Sequence, residues 1–176
     1  MNQPSRDAVA SARAGTRTPG RGRILAAVLH HLGRIPGAWR FTRLHARVHR
    51  ASHGKLMRRW FGIPILTIEV KGRRTGKDRP ASVWYLEIPD GYVVLAANAG
   101  HQRTPNWWLN LRHAGHAVVH VRGRREAVVP RLAEGSERDR YWRRMVEEFP
   151  TVPHYTRYTD RAFPVVVLER RGEPAA

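Results

Sequence analysis

Six short segments rich in β-branched and aromatic residues constrain the fold of this chain most strongly. In chain order they are IPILTIEV from Ile63, ASVWYLEI from Ala81, YVVLAANAG from Tyr92, HAVVHV from His116, EAVVPRLA from Glu126 and FPVVVLER from Phe163. Segments of this composition between turn residues predict β-strands. Because most connections are short and hairpin-like, we predict a mainly β, α+β fold with about six mostly antiparallel strands, closed as a small barrel.

Two helices interrupt this series of strands. TPNWWLNLRHAG offers Thr104 as the N-cap, Pro105 as the first helical residue and Gly115 as the C-terminal cap. SERDRYWRRMVEEF begins with Ser136 and Asp139, which we interpret as a capping box. We therefore predict one helix after the third strand and another before the last.

The N-terminal third differs in character from the rest. Residues 1–20 are rich in Ser, Arg, Ala, Gly and Pro, which predicts a disordered basic tail. Residues 21–62 carry two helical apolar stripes, one with Ile24, Val28 and Leu32 and the other with Phe41, Leu44 and Val48. These helices either pack on the domain or form a basic amphipathic arm on an anionic membrane surface. The strands then belong to a domain at residues 63–176.

Charge separates the same two regions. Of the net +18, residues 1–62 contribute +12, with 13 Lys and Arg against one acid. Such a field attracts phosphates, anionic lipids or nucleic acid, although no recognised nucleic-acid motif is present and nucleic acid is not expected as a partner. The chain has no cysteine, which excludes disulfides and thiol chemistry and is compatible with a reducing cytosol. We expect a cytoplasmic protein, with the arm as a candidate peripheral membrane contact.

The turn KGRRTGKDR, between the first two strands, holds the ingredients of an anion site. Arg73, Arg74 and Arg79 offer forked donors for phosphate or carboxylate, Thr75 adds a hydroxyl, and the two glycines let the backbone turn. The spacing is not that of a P-loop, and a strand follows where a P-loop has a helix. On composition alone, a solvated hairpin tip is the favoured interpretation.

The stretch AANAGHQRTPNWWLNL forms the second candidate. Small residues at a strand end allow close approach of a flat ligand, and a helix N-terminus near Asn106 presents amides to an anion. Trp107 and Trp108 either flank an aromatic ligand or belong to the core. His45 and His49 are spaced i, i+4, but we interpret them as a surface pair and expect no metal. Because no nucleophile or acid–base set is evident, a cofactor is expected to supply the chemistry.

Taken together, the segments LTIEVKGRRTGKDR, AANAG, PNWWLNL and YTRYTDRAFPVVVLER resemble the deazaflavin (F420)-dependent nitroreductase family. They span about Leu66 to Arg170 in the family's order. The resemblance implies a split β-barrel that binds coenzyme F420, a deazaflavin with a phospholactyl-polyglutamate tail. It also implies hydride transfer from the reduced cofactor to quinones, nitro compounds or other electron-poor acceptors.

The resemblance also implies roles for individual residues. The anionic tail would meet Arg73, Arg74, Thr75 and Arg79, and the cleft beyond would be lined by Ser82 and Trp84. The ring would lie against the strand end and the helix start, at Ala96, Ala97, Asn98, Asn106, Trp107, Trp108 and Asn110. Where family members often carry tyrosines, this chain has Phe149, Val152 and Tyr155, so Tyr155 is the residue expected to form a hydrogen bond to the acceptor.

Three other interpretations remain open at the level of sequence. An FMN-using split-barrel reductase would have the same fold. A non-catalytic protein that binds the cofactor or a lipid would explain the missing tyrosines. A nucleic-acid-binding protein is suggested by charge alone.

Overall fold

The computed structural model of the chain describes residues 20–35 and 37–171. The tail predicted at residues 1–20 lies outside the described residues except for Gly20, and so does the side chain of Phe41. The division into a tail, an arm and a barrel domain therefore stays a prediction.

The strands form a closed barrel. They are β1 (Arg59–Trp60), β2 (Ile63–Glu69), β3 (Ala81–Ile88), β4 (Gly91–Leu95), β5 (Ala117–Val121), β6 (Arg124–Leu132) and β7 (Val165–Arg170). Neighbours follow the order β1–β2–β3–β4–β7–β6–β5, and β5 pairs again with β2, which closes six strands into a barrel. All the strand pairings are antiparallel, so the predicted fold class is confirmed. The short β1, which pairs only with β2, was not predicted.

Alternation along the strands builds two apolar layers. Residues inside the barrel include Leu66, Tyr85, Tyr92, Val119 and Leu168, all nearly or fully buried. Their strand neighbours point outward and form a second cluster with helical residues: Leu86, Val93, Val167, Met145 and Phe149. The outer face of β3 and β4 is consequently covered rather than solvated, and the candidate site lies along it.

Three helices follow β4 and β6: α3 (Asn106–Ala114), α4 (Gly135–Glu148) and the single turn α5 (Val152–Tyr155). Gly115 ends α3 in the left-handed conformation, with φ of 71°, as predicted. The predicted N-caps are wrong. Pro105 precedes α3, and Glu134 precedes α4 without a side-chain hydrogen bond. Because α4 begins at Gly135, Ser136 lies within its first turn and cannot form a capping box.

Of the N-terminal helices, α1 (Gly20–Leu32) packs on α5 and the loop after β4, and α2 (Ala38–Ala51) packs on β2 and β3 of the barrel. In α1 the buried face consists of Gly22, Ala26 and His30 rather than the apolar stripe. The stripe faces solvent, with Ile24, Val28 and Leu32 exposed by 63%, 44% and 40%. Small residues let the α1 backbone approach α5 closely, since a Cβ at Gly22 would come within 2.6 Å of the Pro150 carbonyl oxygen.

The prediction that His45 and His49 of α2 form a surface pair is wrong. They are only 4% and 0% exposed and face the barrel. Burial lowers the pKa of His49 to about 4, so the ring is neutral near pH 7. None of the described helices is long and apolar enough to cross a membrane.

Candidate cofactor cleft and acceptor cavity

The basic turn between β2 and β3 is closed by its own backbone. The Gly72 amide donates to the Lys77 carbonyl at 2.8 Å, and the Gly76 amide donates to the Gly72 carbonyl at 2.8 Å. Gly76 has φ of +64°, a conformation that favours glycine. The geometry leaves the side chains of residues 73, 74 and 79 on a tight, structured loop rather than on a loose tip.

Charge in this turn is unevenly paired. Asp78 accepts a hydrogen bond from Lys71 Nζ at 2.6 Å and lies 3.4 Å from Arg50, and the bond from Lys71 lowers the pKa of the Asp78 carboxyl. Arg74 and Arg79 have no carboxylate partner among the described residues. The turn therefore has uncompensated positive charge available for an anion.

Arg73 connects this turn to α3. Its guanidinium donates to Asn110 Oδ1 at 2.9 Å and reaches Asn106 Oδ1 at 3.4 Å. The start of α3 has no acidic residue in its first turn and no side-chain cap, so its first amides remain available. The basic turn and the start of α3, two separate candidates in the sequence, thus meet and form one basic corner.

Two more candidate residues lie on the outer face of β3, which we call the candidate cofactor cleft. Ser82 and Trp84 are both half-buried on this face, and the Trp84 ring lies 5.9 Å from that of Phe149. Trp84 also contacts the cluster that contains Ala97. The two adjacent tryptophans separate, since Trp107 is half-buried while Trp108 is 4% exposed within the barrel core. Of the pair, only Trp107 has a face open to a ligand.

The loop after β4 has a strained backbone. Asn98 and Ala99 have φ of 52° and 49°, and Gly100 has φ of 79°. Left-handed conformations at non-glycine residues cost on the order of 1 kcal/mol each and persist only where neighbours enforce them. Here the Asn98 side-chain amide donates to the Arg103 carbonyl at 2.9 Å, and His30 Nδ1 bonds the Ala99 carbonyl at the same distance. The composition of these residues predicts a strand, but β4 ends at Leu95.

Arg161 holds the same loop from the other side. Its guanidinium donates to the carbonyls of Ala96, Ala97 and His101 at 3.2, 3.0 and 3.3 Å. It also lies 5.0 Å from the Phe163 ring centre and has no carboxylate partner among the described residues. Arg161 was missed as a functional candidate, although it lies within the quoted motif YTRYTDR.

A cavity of about 440 Å³ opens between α1 and this loop. Its lining residues are His30, Gly33, Arg34, Asn98, His101, Gln102, Arg103 and Tyr158. The His30 ring is stacked between Tyr158 at 4.0 Å and His101 at 4.5 Å. Of these residues, only Asn98 was a sequence candidate. Tyr158 had a signal in the YTRYTDR motif, whereas His30 had none, because its role depends on how α1 docks.

Tyr155 does not line this cavity. It is 4% exposed and packs with Ala26, Ala97 and Phe163. Burial raises the pKa of the Tyr155 hydroxyl to about 12, which makes it a poor proton donor. Its predicted hydrogen bond to an acceptor stays a prediction.

The closed antiparallel barrel, with a basic corner and half-buried aromatic residues beside a cavity, fits the split-barrel reductase class that the sequence resemblance implies. The model of the F420H(2)-dependent quinone reductase family matches residues 12–170, and the chain belongs to that family. The resemblance drawn from sequence and its cofactor, F420, are thereby confirmed. The FMN alternative is set aside, since the family's description specifies F420.

Individual relatives agree with the family match. An F420H(2)-dependent quinone reductase of Mycobacterium tuberculosis is 31% identical over 135 residues, which cover 73% of this chain and 89% of the relative. Among solved structures, an F420-H2 dependent reductase, FDR-A, superposes with a TM-score of 0.55 at 28% identity, over 60% of this chain and 94% of that one. A second structure, described as a domain-swapped dimer, shares the fold with a TM-score of 0.57 at 24% identity, over 77% and 100% of the two chains.

Proposed function

We propose that this chain reduces a quinone with F420H2, and that the quinone occupies the cavity between α1 and the loop after β4, here called the strand-end loop. The supporting observation is that Asn98 lines the cavity and also belongs to the loop after β4, which is expected to face the deazaflavin. Two planar ligands that both contact this residue could stack face to face with no side chain between them, as direct hydride transfer requires. Bringing two reactants together in this way accounts for a large part of the rate of such transfers.

The donors at the basic corner suit the tail of F420, which carries phosphate and glutamate carboxylates. Arg74, Thr75 and Arg79 would hold these groups, while Arg73 shapes the corner through Asn110. Ser82, Trp84, Trp107 and the Ala96–Ala97 backbone would hold the ring. When bound and reduced, the deazaflavin supplies a hydride, and the protein's contribution is orientation, exclusion of water and management of one proton.

Reduction of a quinone to a hydroquinone also requires a proton at an oxygen. We assign the hydrogen bond to that oxygen to Tyr158, because its half-buried ring lines the cavity whereas Tyr155 is enclosed. His30 stacks on the Tyr158 ring and fixes its plane, since His30 is itself held by the Ala99 carbonyl. Tyr155 remains the alternative donor.

The test measures oxidation of F420H2 by a water-soluble quinone with the full chain. Wild-type protein should turn over with F420H2 and not with reduced FMN. Tyr158→Phe should lower kcat/KM for the quinone by about threefold to tenfold, the effect of one lost hydrogen bond, with unchanged affinity for F420. Tyr155→Phe is the matched control and should leave kcat/KM within about twofold. The reverse pattern would return the role to Tyr155, and absence of turnover with every quinone would remove the proposed function.

We further propose that α1 rests on an anionic membrane surface, which is where lipid-soluble quinones are found. Ile24, Val28 and Leu32 form an exposed row along α1, and Ile35 beyond it is 55% exposed. Arg23 and Arg34 lie on the same segment and are exposed. Apolar side chains with flanking cations are typical of helices that lie in the membrane interface.

Sedimentation with vesicles tests this attachment. The variant Ile24→Ser/Val28→Ser should bind vesicles containing anionic lipid at least about tenfold more weakly than wild type, because two side chains no longer enter the interface. Val129→Ser/Leu132→Ser is the control, since these residues are similarly exposed on β6, at 39% and 43%. Equal binding by both variants and wild type would contradict the proposal.

A further inference from the structure

A hydrogen-bond chain of three polar side chains runs from α2 to the outer face of β3, where the cofactor is proposed to bind. His49 Nδ1 lies 2.9 Å from Thr67 Oγ1, and Thr67 Oγ1 lies 2.8 Å from Ser82 Oγ. Thr67 and Ser82 are direct cross-strand partners on β2 and β3. His49 and Thr67 are fully buried, and Ser82 is half-buried at the cleft end.

The direction of this chain follows from the orphaned atom at its buried end. His49 Nε2 is buried and has no hydrogen-bond partner among the described residues. If Nε2 carried the ring proton, a buried N–H group would have no acceptor, which is rare and costly in proteins. If Nδ1 carries it, the orphan is only a lone pair. The Nδ1-protonated tautomer is therefore favoured, and His49 is the donor to Thr67.

The remaining protons are then fixed in turn. Thr67 Oγ1 accepts from His49, and its own O–H has Ser82 Oγ as the acceptor within reach. Ser82 therefore accepts from Thr67 and keeps its own proton free. The opposite order, in which Ser82 donates inward to Thr67, would require the disfavoured tautomer or leave the Thr67 proton without an acceptor.

We propose that His49 and Thr67 are positioning residues that make Ser82 a hydrogen-bond donor toward the cofactor cleft. The inference rests on the proposed function for the identity of the ligand. Ser82 would then meet an acceptor atom of the bound heterocycle, such as a carbonyl oxygen of its pyrimidine ring. An acceptor atom would be favoured over an N–H group at this position, because only an acceptor can use the free Ser82 proton.

The neutral state of His49 is consistent with this role. Burial is the main cause that lowers its pKa to about 4, and the neighbouring His45 and His120 lower it further. His120 forms its hydrogen bond with Glu69, at 2.7 Å, and not with His49. It therefore does not compete with Thr67 for the His49 ring. His49 therefore carries a single ring proton under ordinary conditions, which is what a one-directional chain requires.

The first test needs no cofactor. In full-length protein labelled with ¹⁵N-histidine, the ring nitrogen shifts of His49, assigned by comparison with His49→Gln, should show the Nδ1-protonated tautomer. The Nε2-protonated tautomer would reverse the chain and overturn the proposal. This result does not depend on whether the protein binds F420. A wrong tautomer assignment and a wrong proposed function can therefore be told apart.

The second test is a double-mutant cycle on F420 affinity, measured by the fluorescence of the oxidised cofactor. Ser82→Ala should weaken binding by about threefold to tenfold, and Thr67→Val should weaken it to a similar degree. Thr67→Val should add less than about twofold when Ser82 is already alanine, since Thr67 acts only through Ser82. Thr67→Ser keeps the hydroxyl and should restore binding. Additive losses, or no loss in Ser82→Ala, would overturn the proposal.

Discussion

Arg74→Ala should raise the dissociation constant for F420 by about tenfold to a hundredfold and change kcat at saturating cofactor by less than about threefold. Arg74 is exposed and has no carboxylate partner among the described residues, so its guanidinium group is free to bind the anionic tail. The tail lies away from the reacting carbon and is bound equally before and during hydride transfer. Loss of such uniform binding affects affinity rather than turnover.

Fluorescence titration gives the dissociation constant, and steady-state kinetics with a soluble quinone gives kcat. Arg125→Ala is the matched control, because Arg125 is also an exposed arginine near a hairpin turn, on β6. Its removal changes net charge equally but should leave the dissociation constant within about twofold. Equal weakening in both variants would mean that the long-range field, and not the basic corner, attracts the cofactor. Arg73 is a poorer choice, because its removal would also release Asn110.

The barrel could be predicted because its signals are local. Each of the six strands that close the barrel has its own β-branched segment and turn residues, and β3 was predicted over the residues that form it, Ala81–Ile88. The basic turn and the start of α3 were also found, since glycines and a proline mark them. The contact between the basic turn and α3 through Arg73 and Asn110 could not be predicted from the sequence, because 37 residues separate the two partners.

The burial of His30 and His49 could not be predicted from the sequence. His30 and His49 lie on helices whose arginines indicate solvent, yet they are 4% and 0% exposed. Their burial is set by which face of α1 and α2 meets the barrel. That choice depends on close approach at small residues such as Ala26 and Ala46 rather than on the apolar stripe. Hydrophobic periodicity therefore predicted the helices correctly but not the buried face of α1, and Leu44 of the α2 stripe is also 58% exposed.

The strand-end loop was mispredicted for a different reason. YVVLAANAG has strand composition, and alanine has no intrinsic preference for left-handed backbone. The conformation of Asn98 and Ala99 is imposed from outside by His30 and Arg161. A site shaped by distant residues in this way has no local sequence signature, although the arginine that imposes it lies in a recognisable motif.

Arg161→Ala is expected to lower the free energy of unfolding by about 2–4 kcal/mol, because three loop carbonyls lose a charged donor at once. The contact with Phe163 is lost as well. Without these hydrogen bonds, we expect the left-handed backbone at Asn98 and Ala99 to relax toward an ordinary extended or helical conformation. Urea denaturation measures the stability, and the same preparation gives the dissociation constant for F420.

The two effects must be separated, since any destabilised variant can bind poorly. Val128→Ala provides the comparison, because Val128 is 1% exposed in the barrel core and its truncation destabilises without touching the loop. Arg161→Lys keeps the charge and most of the stem but replaces the fork, so it should retain more stability than Arg161→Ala. If Arg161 shapes the site, Arg161→Lys should bind F420 about tenfold more weakly than Val128→Ala at comparable stability. If the two variants bind equally well, Arg161 supports the fold alone, and the left-handed loop is not part of the cofactor site.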